Sequence, residues 1–374
     1  MPTTPAPASL VLPENPAAFQ GGDLTAYRPD QITVDLSTCT NRLGPPPHAI
    51  AAVRRLLSER PGDLVPPPYE RAQPPYVAEK RYLAAFADRL GADVGDMLPG
   101  RGVTEFLTIL SRVLREERVA VIAPDYTETM RLFPYATFVS PPDMARDTVE
   151  LRLERVRMAL RTDDVVILSN PSNPLGHFIP SGDLLQAARE NPGAVLVVDE
   201  EYIDFQGEDL SLAGADADNL VVLQSTGKTY GMTGSRAGML WTRNQHVRDL
   251  VAAQLIRWPL SLLDITLGVA ALEDSAWLTT VRAVIQDDAR RLQQVLAERF
   301  DELVVPAGIH YRFVHLADPR PVVEHLAAHG IAVRMFDGSV HSPCGIRIMA
   351  PNGPAELAVL QAALDTLPAG WGRA

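Results

Sequence analysis

Short apolar runs recur along the middle of the chain, at residues 119–123, 165–168, 195–198 and 220–223. Each is nearly continuous rather than alternating, the pattern of a strand covered on both faces. Between and before these runs the spacing is helical, over 77–90, 104–115 and 181–190, with Ser181 placed to cap the third of these helices. Strands alternating with helices predict an α/β fold with a mostly parallel central sheet flanked by helices. Beyond Trp241 the pattern changes. Residues 247–257 read as a helix stopped by Pro259, and a helical region over 275–300 leads into a smaller α+β segment at the C-terminal end. The stretch 65–75 holds Pro66, Pro67, Pro68, Pro74 and Pro75 and reads as a loop. No internal repeat interrupts this order.

Composition narrows the function more than the fold. A chain of 374 residues suits two domains, and an apolar fraction of 46% supports ordinary cores. No apolar run is long enough to cross a membrane, so no membrane partner is expected. The first residues, MPTTPAPASLVLPENPAAF, lack a basic start and read as a Pro-rich arm rather than a secretory signal. A net charge of -12 argues against a nucleic-acid partner, which would need clustered Lys and Arg. Cys39 and Cys344 stand far apart, which predicts no disulfide framework and suits a reducing, cytoplasmic setting. The histidines are read as forming no HxxxH or HExxH pattern, and no metal is expected.

The candidate chemistry sits at strand ends. Asn170–Pro171–Ser172–Asn173–Pro174–Leu175–Gly176 follows one apolar run, Asp199–Glu200–Glu201–Tyr202 the next, and the segment from Ser225 to Arg236, with Lys228 inside it, the last. Open α/β sheets bind ligands at the carboxyl ends of their strands, so these segments are expected to converge. A lone lysine after a strand is ordinarily a solvated surface residue; here its neighbours change the reading. Lysine forms an imine with an aldehyde, aspartate pairs with a protonated ring nitrogen, tyrosine bonds a phenolate, and serine with arginine holds a phosphate. These four handles together describe pyridoxal 5′-phosphate.

From about Asp35 to Ala363 the chain resembles the class I/II aminotransferases, and among them the histidinol-phosphate aminotransferases, through N-P-x-N-P-x-G, D-E-x-Y and S-x-x-K-x-x-G-x-x-G-x-R. The resemblance implies the aspartate-aminotransferase-like fold (fold type I of the pyridoxal-phosphate enzymes), with an N-terminal arm over 1–45, a large cofactor-binding domain over 46–260 and a small C-terminal domain over 261–374. It implies Lys228 as the Schiff-base lysine and proton carrier, Asp199 as partner of the pyridinium, and Tyr202 and Asn173 on the ring oxygen. Ser225 and Arg236 would hold the phosphate, together with the turn at Gly102, Val103 and Thr104, and Tyr126 would stack on the ring. Arg347 and Arg334 match positions that grip an anionic substrate, and Asn41 matches part of the substrate-facing arm. A homodimer is implied, with Tyr69 or Tyr76 reaching the neighbouring subunit's phosphate.

Some positions depart from the family pattern. Gly227 stands where a serine usually precedes the lysine, Glu201 replaces a small residue beside Tyr202, and Cys39, Thr40 and Arg42 interrupt N-E-N-P. Were Glu201 to face the cleft, it would favour a cationic or hydrogen-bond-donating substrate, and with it an α-amino acid over histidinol phosphate. The same residues would also serve elimination, replacement, cyclisation or decarboxylation, since the cofactor carries the hard chemistry. Transamination of an amino acid or related amine is the leading expectation.

Overall fold

The computed structural model describes residues 21–65, 74–207, 209–368 and 370–371. They form two compact units. The larger comprises Thr40–Asn173 and His177–Ala283; the smaller comprises the described residues up to Cys39, the short piece Pro174–Gly176, and the chain from Val284 onward.

Strand β1 (Val34–Asp35) belongs to the smaller unit. The larger unit then contributes β2 (Met97–Gly100), β3 (Val119–Ile122), β4 (Thr137–Val139), β5 (Val165–Ser169), β6 (Val195–Asp199), β7 (Leu220–Ser225) and β8 (Gly238–Trp241). They form one seven-stranded sheet in the order β2-β8-β7-β6-β5-β3-β4. Neighbours from β7 to β4 pair in parallel, while β8 runs against both β7 and β2. The four apolar runs are thus strands of a mostly parallel sheet, as expected.

The sheet is covered on both faces by α1 (Pro47–Glu59), α2 (Val77–Leu90), α3 (Gly102–Val113), α4 (Thr127–Leu132), α5 (Val149–Thr162), α6 (Ser181–Glu190), α7 (Ile203–Gln206), α8 (Gln245–Gln254) and α9 (Leu262–Leu272). Strand alternation divides the core cleanly. Ala120, Ile122, Val166, Leu168, Leu196, Val198, Val222, Met239 and Trp241 join Tyr82, Leu83 and Phe86 of α2 in one cluster. Val119, Val121, Val165, Ile167, Val197, Val221, Leu223 and Leu240 join Phe106, Leu107 and Leu110 of α3 in another. This two-faced burial is why the runs lack polar residues.

Helix α10 (Ser275–Ala297) passes from the larger unit into the smaller. The smaller unit adds β9 (Leu303–Val304), β10 (Tyr311–His315), α11 (Arg320–Ala328), β11 (Ile331–Ala332), β12 (Arg334–Asp337), β13 (Cys344–Met349) and α12 (Gly353–Asp365). Its main sheet is antiparallel in the order β12-β13-β10-β9, and β1 pairs in parallel with β11.

Several boundaries differ from the expected ones. The helix expected over 104–115 begins at Gly102, because the glycine, at φ +72°, turns the chain straight from β2 into the helix. Ser181 does not cap α6: Pro180 holds the cap position, and the Ser181 hydroxyl donates to the Leu210 carbonyl. The helix expected over 247–257 stops at Gln254, well before Pro259, where Leu255 turns extended. The long helix ends at Ala297 rather than 300. Most of the proline-rich stretch, with Tyr69, and the first twenty residues lie outside the described residues.

Candidate functional site

The strand register brings the expected segments of the larger unit to one edge of its sheet. Ser169 at the end of β5 is level with Asp199 at the end of β6, and Ser225 at the end of β7 is level with Gly238, which is in turn level with Gly100 at the end of β2. Gly238 is required there. A Cβ on it would lie 2.6 Å from the Cα of Gly102, so only a glycine lets β8 pass beneath the turn that starts α3. Gly102, Val103 and Thr104 form the first turn of α3, whose N–H groups have no partner within the helix. The Arg236 guanidinium lies 3.1 Å from where a Gly102 Cβ would be. A helix N-terminus with a guanidinium over it is an anion cradle.

Arg236 is itself positioned from below. Its N–H donates to Asp264 Oδ1 at 3.2 Å, the Ser235 hydroxyl donates to the same oxygen at 2.8 Å, and its Nη1 donates to the Thr233 carbonyl at 3.1 Å. Asp264 sits in the first turn of α9, capped by Ser261.

Asp199 is buried at the end of β6. Its Oδ1 accepts the Glu201 N–H at 2.9 Å. Burial first, then the carboxylates of Glu201, Asp125 and Glu200, push its carboxyl well above the ordinary range. A carboxylate in such company is stabilised by a cationic or hydrogen-bond-donating partner, such as a protonated ring nitrogen.

Tyr126 follows the end of β3, half-buried, and shares a side-chain hydrogen bond with Thr104. Its loop is pinned by a neighbour that the sequence reading gave no role. Asp125 is buried, and its carboxylate accepts the N–H groups of Tyr126 at 2.7 Å and Ser169 at 2.8 Å and the Arg152 guanidinium at 2.9 Å. Arg152 also donates to the Pro124 carbonyl at 2.9 Å. Desolvation outweighs attraction for both partners: it raises the Asp125 carboxyl and lowers the Arg152 guanidinium. The pair therefore fixes geometry more than it adds stability. A lone charged residue 27 positions away gave no sequence signal for it.

The asparagine motif divides its labour. Asn170 clamps its own loop, donating to the Ile179 carbonyl at 2.9 Å and accepting the Ile179 N–H at 2.8 Å. Asn173, also buried, is held through its N–H, which donates to Ser169 Oγ at 3.2 Å. Tyr202 is buried beside Phe205, with ring centroids 6.2 Å apart.

Lys228 is half-buried in the loop after β7. Asn41 packs on that loop rather than standing free: its N–H donates to the Lys228 carbonyl at 2.9 Å and its amide to the Thr229 carbonyl at 2.9 Å, while its oxygen accepts the Leu43 N–H at 2.8 Å. Gly231 admits this approach, since a Cβ on it would lie 2.8 Å from the Asn41 carbonyl oxygen. Glu201 does not stand free in a substrate cleft. Its Oε1 accepts the Ser225 hydroxyl at 2.7 Å, its Oε2 is shielded from solvent, and Lys228 and Arg236 act on it electrostatically. The expectation that Glu201 selects a cationic substrate loses its ground.

Arg334 and Arg347 lie in the smaller unit, both buried, on β12 and β13. Tyr76, at the cap of α2, is buried with its ring centroid 6.1 Å from that of Trp258; Tyr69 lies outside the described residues. His325 of α11 and His329 at its C-cap, with rings 4.5 Å apart, do form an HxxxH spacing, contrary to the expectation from the sequence. Among the described residues no group of three or more His, Cys, Asp or Glu could hold a metal ion. A cavity of about 630 Å³ opens elsewhere in the larger unit, between Arg81, Asp88, Arg89, Asp204 and Glu273, and no expected site residue lines it.

The family model for aminotransferase class I and II matches residues 31–359. Histidinol-phosphate aminotransferase of Aromatoleum aromaticum is 28% identical over 333 residues, 84% of this chain and 88% of its own. Threonine-phosphate decarboxylase of Pseudomonas aeruginosa is 29% identical over 272 residues, 72% of this chain and 77% of its own. Among solved structures, histidinol-phosphate aminotransferase of Sinorhizobium meliloti in complex with pyridoxal-5′-phosphate superposes with a TM-score of 0.73 at 22% identity, covering 90% of each chain. The shared fold is the one expected from the sequence.

Proposed function

The chain belongs to the aminotransferase class I and II family, and from that premise we propose that it transfers the amino group of an amino acid or related amine to a keto acid, using pyridoxal 5′-phosphate. The observation that carries this reading is the single sheet edge at which Asp199, Lys228, Ser225, Arg236 and the first turn of α3 all end. When bound, the cofactor supplies an aldehyde for the amine and an electron-poor ring that stabilises negative charge on the substrate carbon.

The residues fit that group. The N–H groups of Gly102, Val103 and Thr104, with Ser225 and Arg236, receive its phosphate. Asp199, kept dry and among other carboxylates, takes the ring nitrogen's proton in a hydrogen bond that favours the charged ring. Tyr202 and Asn173 bond the ring oxygen, and Tyr126 packs on the ring. Lys228 supplies the amine and moves the proton at the substrate carbon. Arg347 and Arg334 bind the substrate's anionic group, a carboxylate or a phosphate, and Asn41 orders the loop that carries Lys228.

The enzyme is a homodimer in this reading, as the resemblance implies, in the reducing cytoplasm that its widely separated cysteines suit, and sedimentation at micromolar concentration should show twice the chain mass. An absorbance screen of the purified protein against amino acids and histidinol phosphate, with and without 2-oxoglutarate, tests the reaction. Transamination leaves the amine form of the cofactor, which 2-oxoglutarate reverses. Release of carbon dioxide without that form would instead place the chain beside its decarboxylase relative.

A further inference from the structure

Glu201 and Gly227 depart from the family pattern together, and the structure places them against each other. A Cβ on Gly227 would lie 3.6 Å from Glu201 Oε1 and 3.1 Å from Ser225 Oγ. Gly227 thus borders both Ser225 and Glu201. Glu201 accepts the only proton the Ser225 hydroxyl has, at 2.7 Å, while the Gly227 N–H donates to Ser225 Oγ at 3.0 Å. Ser225 is therefore committed to a carboxylate. It has no proton left for a second anion unless Glu201 releases it.

The same few residues form the anion cradle. Ser225 is level with Gly238, Gly238 touches the turn of Gly102, and Arg236 lies over that turn. A phosphate ester held by Ser225 and Arg236 would stand beside the Glu201 carboxylate, and two adjacent anions repel. The charged and titratable groups acting with Glu201 are Lys228 and Arg236, which favour its ionised form, Asp199 and Asp204, which oppose it, and the hydroxyls of Tyr82 and Tyr126. Burial already raises the Glu201 carboxyl above its ordinary value, and a second anion beside it acts in the same direction.

We propose that Glu201 makes this cradle a proton-linked phosphate site: a phosphate ester enters as the Glu201 carboxylate takes up one proton, which frees Ser225 to donate to the phosphate. Glu201 is a positioning residue in this scheme, acting through Ser225. The inference rests on the cofactor reading above and deepens it. It gives this chain a cofactor affinity that falls with rising pH for a reason internal to the site, where a small residue in place of Glu201 would give none.

The test uses the full chain freed of its cofactor. Binding of pyridoxal 5′-phosphate and of pyridoxal, which lacks the phosphate, is measured by equilibrium dialysis between pH 7 and 9, where the phosphate stays a dianion. Wild type should lose roughly tenfold in phosphate-ester affinity per pH unit relative to Glu201→Gln and Glu201→Ala, and the three proteins should converge with pyridoxal. Calorimetry on wild type alone, in two buffers of different ionisation enthalpy, should show about one proton more taken up with the phosphate ester than with pyridoxal. Parallel pH profiles in wild type and both variants, or equal proton counts for the two ligands, would overturn the role of Glu201 and leave the cofactor reading intact. Absence of pyridoxal 5′-phosphate binding in every protein at every pH would sink the cofactor reading itself.

Discussion

Arg334 and Arg347 stand directly opposite each other on the antiparallel strands β12 and β13, both with buried side chains. Like charges facing across a ladder are unfavourable unless something offsets them. Part of the offset is visible: the Arg334 guanidinium lies 5.1 Å from the Phe336 ring centroid, the Arg347 guanidinium 5.4 Å from that of Tyr311, and Arg347 Nη2 donates to the Ser37 carbonyl at 2.9 Å. An anionic substrate would supply more. Arg347→Ala should weaken an anionic substrate by about 2–5 kcal/mol, the range for truncating one member of a desolvated charge pair. An amine without carboxylate or phosphate should be affected much less. Steady-state kinetics with matched charged and uncharged amines would decide it, and equal losses for both would remove Arg347 from the substrate site.

Lys228→Ala should abolish covalent attachment of the cofactor. Among the described residues Lys228 is the only lysine in a loop at the sheet edge where Asp199 and Ser225 end, and it acts electrostatically on Glu201 together with Arg236. Borohydride treatment followed by peptide mass spectrometry should find the adduct on Lys228 in wild type and on no lysine in the variant. An adduct elsewhere would move the site.

Much of this was legible in the sequence for physical reasons. Strands β3, β5, β6 and β7 showed themselves because burial on both faces excludes polar residues from them. The residues at their ends were legible because chemistry needs particular side chains at particular turns. Elements defined by packing alone were not. Helix α9 is apolar nearly all round, so it gave no periodic stripe, and its Asp264 anchor for Arg236 stayed hidden with it. The Asp125–Arg152 pair and the contact of Asn41 with the Lys228 loop join residues far apart in the chain, and spacing carries no trace of them. The bond between Glu201 and Ser225 beside Gly227 likewise joins positions that spacing does not bring together.

Asp199→Asn should leave the chain folded and cut turnover by orders of magnitude. Burial and three neighbouring carboxylates make the ionised form costly, so the wild-type charge gains most from a cationic partner. An asparagine still offers an oxygen to the Glu201 N–H, so the local turn survives. It no longer holds a proton on the ring nitrogen. Turnover and cofactor affinity measured together should both fall while the unfolding midpoint of the cofactor-free chain stays level or rises. Unchanged turnover would contradict the role.

Glu200 points away from the site and makes a prediction about stability instead. Its carboxylate accepts the Ser211 hydroxyl at 2.5 Å, the Leu212 N–H at 2.8 Å and the Gln224 amide at 2.8 Å, and together these tie the end of β6 to β7 and to the loop after α7. Those hydrogen bonds favour the ionised form, but burial outweighs them and pushes its carboxyl from 4.5 up to about 7. Below about pH 4.5 the group is protonated whether the chain is folded or unfolded, and its contribution is fully present. As pH rises toward 7 the unfolded chain ionises while the folded chain keeps its proton, so stability falls, by about 3 kcal/mol in total at 1.4 kcal/mol per unit. Above the folded value no more is lost. Glu200→Gln cannot ionise and should lack this slope. Denaturant unfolding of both proteins between pH 4.5 and 7.5 should show the variant gaining about 3 kcal/mol relative to wild type across that window. Asp125 and Glu79 are also raised by burial and are common to both proteins, so their slopes cancel in the difference. A difference that stays flat with pH would mean that Glu200 keeps its charge inside the folded chain.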